Sequence, residues 1–547
     1  MENLKQSKLR LGFSSFILII FIGVVGYKII LTGGVEKKNN HHFNSKINYK
    51  VKEKIVRGEI RDRNGYVLAT TIQTNDLIFN PSVIKNPKLF ARQISNTLKN
   101  LSVEETHKKL NSNKKYIKLV KNISPSDYMK ILKLGIPSTS IEKSFVRKYP
   151  SINLASHVIG NVDTEDKGIS GIELNFDHTL SRGKHVSLSI NSGIQNILRN
   201  LIKSQIDKFQ AEGGAGILID ANNGEIIASV SLPDYDNNSV SNIGNLQKFN
   251  KATKGTYELG STLKIFNAAI ALESGLVRDN DLIDVTKPLK ISSFTINDDK
   301  QLNFSINLPE ILVYSSNIGS AKIAQLVGSK IQQKYLDLLG FNKALDLELI
   351  EIGKARFRKD NKLSTIMTMS YGYGIRISPL HLASGTSTII NGGYLIKPSL
   401  LPLDEEKKLG KQIFSNNTSE KMRSILRLVV SNQFGTGKNA NATGYLVGGK
   451  TGTAHKSIAN GYSKKEKIVA FTGGFPITNP KFVFTIMIDN PKPQKFSMGR
   501  ATGGWVVAPI VKKLVMRIAP ILKIYPSLKN EYLNKNLINY KIRGNEL

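Results

Sequence analysis

The sequence predicts an α/β (α+β) domain built on a five-stranded antiparallel sheet flanked by helices, behind a separate N-terminal domain and one apolar anchor helix. Three observations predict it. Two β-rich runs, 215–220 and 225–230, are joined by Asn222-Asn223-Gly224 and read as an antiparallel hairpin. Three more such runs come late, at 445–454, 468–475 and 482–488. A block of helical pattern separates the two groups, and a last helix at about 507–518 closes the domain.

With 547 residues, 40% of them hydrophobic, the chain is long enough for more than one core. There is no cysteine, which excludes disulfides, thiol nucleophiles and cysteine–zinc sites. The formal net charge of +35 reflects lysine-rich solvated faces. A nucleic-acid partner is disfavoured because residues 11–31 form an apolar run of about membrane-spanning length, broken only by Lys28 near its end. Thr32-Gly33-Gly34-Val35 offers no small-residue cleavage site, so the run reads as an uncleaved signal-anchor after a short tail, 1–10. Lysines flank both sides, and charge alone does not orient it.

Residues 32–50 are polar and read as a linker; His41-His42 within them reads as solvated. A first domain is expected over 51–200. It opens with Arg57-Gly58-Glu59-Ile60-Arg61-Asp62-Arg63-Asn64-Gly65, whose Asn-Gly marks a hairpin. Residues 85–145 read as mostly helical, and His185–Ile190 alternates as a strand should. The second domain is expected over 210–525. The tail, 526–547, is polar and reads as loose.

Chemistry concentrates in the second domain. Ser261-Thr262-Leu263-Lys264 opens a run rich in alanine and leucine that ends on Gly275. The spacing puts a hydroxyl nucleophile and an amine base on one face, one turn apart. A serine needs such a base to attack a carbonyl, and the lysine must be neutral to serve. Two other Ser-x-x-Lys matches, at Ser140 and Ser181, lie in charged surroundings and read as surface. Ser315-Ser316-Asn317 follows 54 residues after Ser261, in a loop between helical runs. Lys450-Thr451-Gly452-Thr453 lies on a predicted strand. Small residues there let a substrate backbone approach the edge, while Lys450 and Thr451 can hold a carboxylate.

All three in this order form the signature of penicillin-recognising serine acyltransferases. Residues 50–525 resemble a class B penicillin-binding protein. Arg57–Ala69 and Gly168-Ile169-Ser170-Gly171-Ile172-Glu173 match motifs of that family's N-terminal pedestal. Tyr257–Lys264 resembles its nucleophile segment, with Leu259 where proline is common. Ser370-Tyr371-Gly372-Tyr373-Gly374 and Ser378–Ala383 are similar to the division-specific subclass.

The resemblance implies the penicillin-binding transpeptidase fold, an elongated pedestal and cross-linking of peptidoglycan stem peptides during septal wall synthesis. It assigns Ser261 as nucleophile, Lys264 as base, Ser315 as proton relay and Asn317 as the residue that positions Lys264 and the substrate amide. Lys450, Thr451, Gly452 and Thr453 would bind substrate, and the backbone N–H groups of Ser261 and Thr453 would form the oxyanion hole. β-Lactams would acylate Ser261. No metal or organic cofactor is implied. A membrane glycosyltransferase and other divisome proteins are the implied partners. The N-terminus would be cytoplasmic, and the catalytic domain would lie in the periplasm, anchored to the inner membrane. An elongation-specific transpeptidase is the alternative. A β-lactamase is disfavoured because no Glu-x-x-x-Asn occurs between Asn317 and Lys450, and a β-lactam sensor because no His-Glu-x-x-His occurs. Intact motifs argue against an inactive division scaffold.

Overall fold

The three late strands and the early hairpin pair into one sheet. The computed structural model describes residues 12–13, 15–28, 55–240, 243–291, 294–403, 410–458, 461–527 and 537–544. The expected tail 1–10 and linker 32–50 lie outside these residues, as do parts of the apolar run. Its described residues are helical, and no helix among the described residues is long and apolar enough to cross a membrane.

From Val56 onward the chain forms one compact unit. Strands β1 (Ile60–Arg61), β2 (Val67–Phe79), β3 (Ile117–Val120), β4 (Ser140–Lys148) and β5 (Val186–Ser187) make the N-terminal sheet. It is mixed, because β1 runs parallel to β5 and antiparallel to β2. The Asn64-Gly65 turn joins β1 to β2, with Gly65 at φ 83°. Residues 85–145 carry three helices, Pro87–Thr97, Val103–Leu110 and Pro125–Leu132, but also β3 and most of β4. The alternating run at 185–190 yields only the two residues of β5. Beyond them Ser189 bonds by its backbone N–H to Leu400 O at 2.7 Å, which stitches this region to the second half of the chain.

The second sheet contains β6 (Gly213–Asp220) and β7 (Ile226–Leu232), then, after the short pairs β8 (Leu289–Ile291) with β9 (Phe294–Ile296) and β10 (Arg356–Phe357) with β11 (Ile375–Arg376), β12 (Gly448–Ile458), β13 (Gly461–Phe475) and β14 (Phe482–Asp489). Its order is β12-β13-β14-β6-β7, with every neighbour antiparallel. The short pairs lie within the block read as helical or as loop, where two- and three-residue strands leave no periodicity to detect.

Helices cover both faces. On one face, α1 (Ser192–Phe209) packs Ile194, Leu198 and Ile202 against Leu218 and Phe484. A C-terminal helix, Ala508–Ile518, adds Ile510, Val511 and Leu514 to the same core. The other face carries α2 (Lys264–Ser274), α3 (Leu308–Tyr314), α4 (Asn317–Leu338), α5 (Pro379–Ile390) and α6 (Asn416–Ser431). Most residues of α2 and every residue of α5 are buried, and the buried hydroxyls of Thr386 and Thr388 in α5 donate to carbonyls one turn earlier. β12 is the edge strand, so its outer backbone groups are free of a sheet neighbour. The fold is therefore a helix–sheet–helix sandwich whose edge strand carries Lys450-Thr451-Gly452-Thr453.

Candidate active site

Ser261 sits in a 3-10 turn, Gly260–Leu263, that feeds directly into α2. Gly260 has φ +55°, and a Cβ there would come within 2.4 Å of Thr453 O. Gly452 faces the same constraint from Leu259 O, at 2.3 Å. The two glycines thus let the serine turn lie directly against the edge strand.

Lys264 is the first residue of α2 and is only 1% exposed. Its Nζ donates to Ser315 O, to Asn317 Oδ1 at 2.7 Å and, at 3.3 Å, to Ser315 Oγ. The spacing argument pairs this lysine with Ser261. In the structure its hydrogen bonds instead run to the Ser315–Asn317 turn, and none among the described residues joins it to Ser261 Oγ. Burial pushes Lys264 down to about 7, against the pull of Asp298 and Asp299, which favours its charged form.

Ser315 terminates α3 in the left-handed region, φ 62°, an uncommon conformation for serine. That twist aims both its carbonyl and its hydroxyl at Lys264. Asn317 begins α4, and its Nδ2 donates to Asn297 O at 2.9 Å. Lys450, fully buried on β12, donates to Ser315 Oγ at 2.9 Å. Burial and the neighbouring Lys264 both push Lys450 well below the usual lysine range. Two amines thus converge on one hydroxyl. Neither forms an ion pair among the described residues, and burial of the two amines side by side disfavours charging both. An incoming carboxylate would reverse that preference at Lys450.

Thr451 Oγ1 donates to Thr436 Oγ1 at 2.9 Å, and Thr453 Oγ1 accepts from Gly503 N at 3.1 Å. The structure thus joins Lys264, Ser315, Asn317, Lys450 and Thr451 in one hydrogen-bonded cluster and seats the Ser261 turn against Gly452 and Thr453.

Two participants escaped the sequence reading. Thr436, in Gly435-Thr436-Gly437, bonds Lys450 at 3.3 Å as well as Thr451. Asp298 accepts from Ser316 Oγ at 2.6 Å, from Ile318 N at 3.0 Å and from Asn317 N. The aspartate pins the start of α4 as an N-terminal cap does. Neither residue belongs to a motif that marks it. Beside the cleft, Glu258, Tyr371, Tyr373, Arg376, His455 and Tyr462 help line a cavity of about 790 Å³. No group of His, Asp and Glu among the described residues is arranged to hold a metal.

Comparison with known proteins places this geometry. The family described as penicillin binding protein transpeptidase domain matches residues 214–516, and the penicillin-binding protein dimerisation domain matches 52–205. The chain is 31% identical over 481 residues to the probable peptidoglycan D,D-transpeptidase FtsI of Caulobacter vibrioides, covering 86% of this chain and 82% of that one. It is also 31% identical over 559 residues to the peptidoglycan D,D-transpeptidase FtsI of Buchnera aphidicola, covering 94% and 95%. The crystal structure of penicillin binding protein 3 from Mycobacterium tuberculosis, complexed with aztreonam, shares the fold with a TM-score of 0.68 at 21% identity, covering 87% of this chain and 98% of that one.

Proposed function

Because the chain belongs to the penicillin-binding transpeptidase family, we propose that it is a class B, division-type peptidoglycan D,D-transpeptidase, a serine acyltransferase that cross-links stem peptides at the septum. One observation carries the chemical reading. The hydroxyl of Ser315 is held between two buried amines, Lys264 and Lys450, beside the turn that presents Ser261.

The family resemblance supplies the steps, and that geometry supports them. A neutral Lys264 has two N–H bonds and one lone pair. The two N–H bonds satisfy Ser315 O and Asn317 Oδ1, and the lone pair is left to take a proton. Lys264 removes the Ser261 proton as Oγ attacks the penultimate D-Ala carbonyl. The backbone N–H groups of Ser261 and Thr453 receive the oxyanion. The C–N bond then breaks, Ser315 passes a proton to the departing D-Ala amine, and Lys264 hands the proton it took from Ser261 on to Ser315. Lys450 and Thr451, braced by Thr436, hold its carboxylate. An amine from a second stem attacks the ester, loses its proton to the same relay and returns the hydrogen to Ser261 Oγ. The product is an amide cross-link. A β-lactam presents the same carbonyl and carboxylate, and its acyl group stays on Ser261.

The apolar run at 11–31 fits a single membrane anchor, with the N-terminus cytoplasmic and the rest of the chain periplasmic. A polytopic glycosyltransferase and other divisome proteins are the natural partners of such an enzyme. The decisive experiment is covalent labelling by a fluorescent penicillin, with Ser261→Ala abolishing the label. A Ser261→Ala protein that still takes label at the wild-type level sinks the reading. On depletion, filamentous cells are expected; rounded cells would point to elongation instead.

A further inference from the structure

We infer that Arg543, near the far end of the chain, is a positioning residue for the acylation step: it locks helix α3 and thereby holds Ser315 in its strained conformation. This rests on the reading of Ser261 and Ser315 above.

The C-terminal residues were expected to be loose. Residues 537–544 instead pack onto the body of the fold. Ile538 N donates to Ser424 Oγ at 2.9 Å, and Tyr540 OH donates to Asp279 Oδ2 at 2.8 Å. Arg543 then engages Glu310, whose side chain is fully buried. Its Nη2 donates to Oε2 at 2.6 Å, and its backbone N and Nε donate to Oε1 at 2.8 and 3.0 Å. The Arg543 carbonyl accepts from Tyr314 OH, and its guanidinium lies 5.4 Å from the centre of the Phe304 ring. Gly544 lies against Phe434, which itself packs on Tyr314.

Every one of the Arg543 contacts falls on or beside α3. Glu310 closes the capping box at its start, with Asn307 N donating to Glu310 Oε2 at 2.9 Å. Tyr314 is its last residue, and Ser315 follows at φ 62°. A non-glycine residue keeps such a conformation only when its surroundings over-determine it. The helix is just seven residues long and supplies little rigidity of its own. Arg543 restrains both of its ends. The helix also reaches the other hydroxyl bonded to Lys450, because Thr436 N donates to Val313 O at 3.4 Å. A planar guanidinium making two side-chain bonds to one carboxylate fixes orientation as well as charge.

The test uses full-length protein in detergent. The acylation rate constant and the non-covalent affinity for a fluorescent penicillin are measured separately and normalised to folded protein. Arg543→Ala, and a chain ending at Asn536, should each acylate about tenfold more slowly with little change in affinity. Arg543→Lys should recover part of the rate. Addition of a synthetic peptide of residues 537–547 to the shortened chain should restore it. Wild-type rates in both variants overturn the inference, as does a lower melting temperature with an unchanged rate per folded molecule. A wild-type chain that takes no label overturns the parent reading, and this inference with it.

Discussion

Among the described residues, the buried charges of the N-terminal region and those of the cleft are built on opposite plans. In the N-terminal region Glu173 is fully buried between two arginines. Arg57 Nε reaches one of its oxygens at 2.8 Å and Arg147 Nε the other at 2.7 Å. Asp177 takes a further bond from Arg57, while Glu173 O accepts from Arg57 Nη2 and Gly58 O from Arg147 Nη1. Charges balance, and the pieces tied together come from residues far apart in the chain. In the cleft, Lys264 and Lys450 are buried just as deeply with no carboxylate in contact among the described residues. The first arrangement stabilises geometry. The second holds amines at reduced proton affinity, where one can act as a base and the other can welcome an anion.

The sharpest way to break this contrast is to replace a cleft lysine by an apolar side chain of similar length. Lys264→Met should cut acylation by about 10³-fold, the scale of losing a general base. Because no partner is left with an unmatched charge, the melting temperature should fall only modestly, by the cost of Ser315 O and Asn317 Oδ1 losing a donor. Rapid-mixing kinetics with a chromogenic β-lactam, beside calorimetry, checks both halves. A large loss of stability would show that the cleft amines are structural after all.

The N-terminal cluster should answer in the reverse sense. Glu173→Ala leaves Arg147 buried without a counter-charge and Arg57 with Asp177 alone, and should cost about 3–5 kcal/mol of stability. Acylation per folded molecule should stay within a few-fold of wild type. Denaturant unfolding followed by active-site titration of the surviving fraction separates the two effects.

The same contrast explains what could be read from the chain beforehand. The five strands were legible because each is a run of apolar or β-branched residues bounded by turn signals. The Ser261 turn, the Ser315 loop and the Lys450 strand were legible because spacing and context distinguish them from chance matches such as Ser140 and Ser181. Local spacing does not reveal the hydrogen bonds of Lys264, which reach residues 51 and 53 positions away. Thr436 and Asp298 were missed for the same reason. Thr436 acts on a lysine 14 residues further on, and Asp298 on a turn about 18 to 20 residues further on. Polar composition misled at the C-terminus, because one arginine facing a buried glutamate outweighs a run of polar neighbours.

A subtler probe leaves both lysines in place and alters the field around them. Lys264 works as a base only when neutral, so acylation should rise with pH through about 7 and level off above it. Asp298 and Asp299 favour the charged lysine. Asp298→Asn removes one of those pulls, so the acidic limb of the pH–rate profile should move to lower pH. The maximum rate should fall a few-fold, because the cap on Asn317 and Ile318 is weakened. A limb moving to higher pH would contradict the assignment of Lys264 as base.

The smallest expected effect separates binding from chemistry within the cleft. Thr436→Val keeps the shape of the side chain and deletes the hydroxyl shared by Lys450 and Thr451. Neither group would lose its remaining partners: Lys450 keeps Ser315 Oγ, and Thr451 keeps its place on β12. The loss should therefore be mainly that of the 2.9 Å bond from Thr451, with the longer 3.3 Å bond from Lys450 adding little, about 1 kcal/mol or roughly fivefold. It should fall on affinity for the carboxylate of substrate or β-lactam rather than on the acylation constant. If the acylation constant falls instead, Thr436 belongs to the proton relay with Ser315, and the division of labour between the two lysines must be redrawn around it.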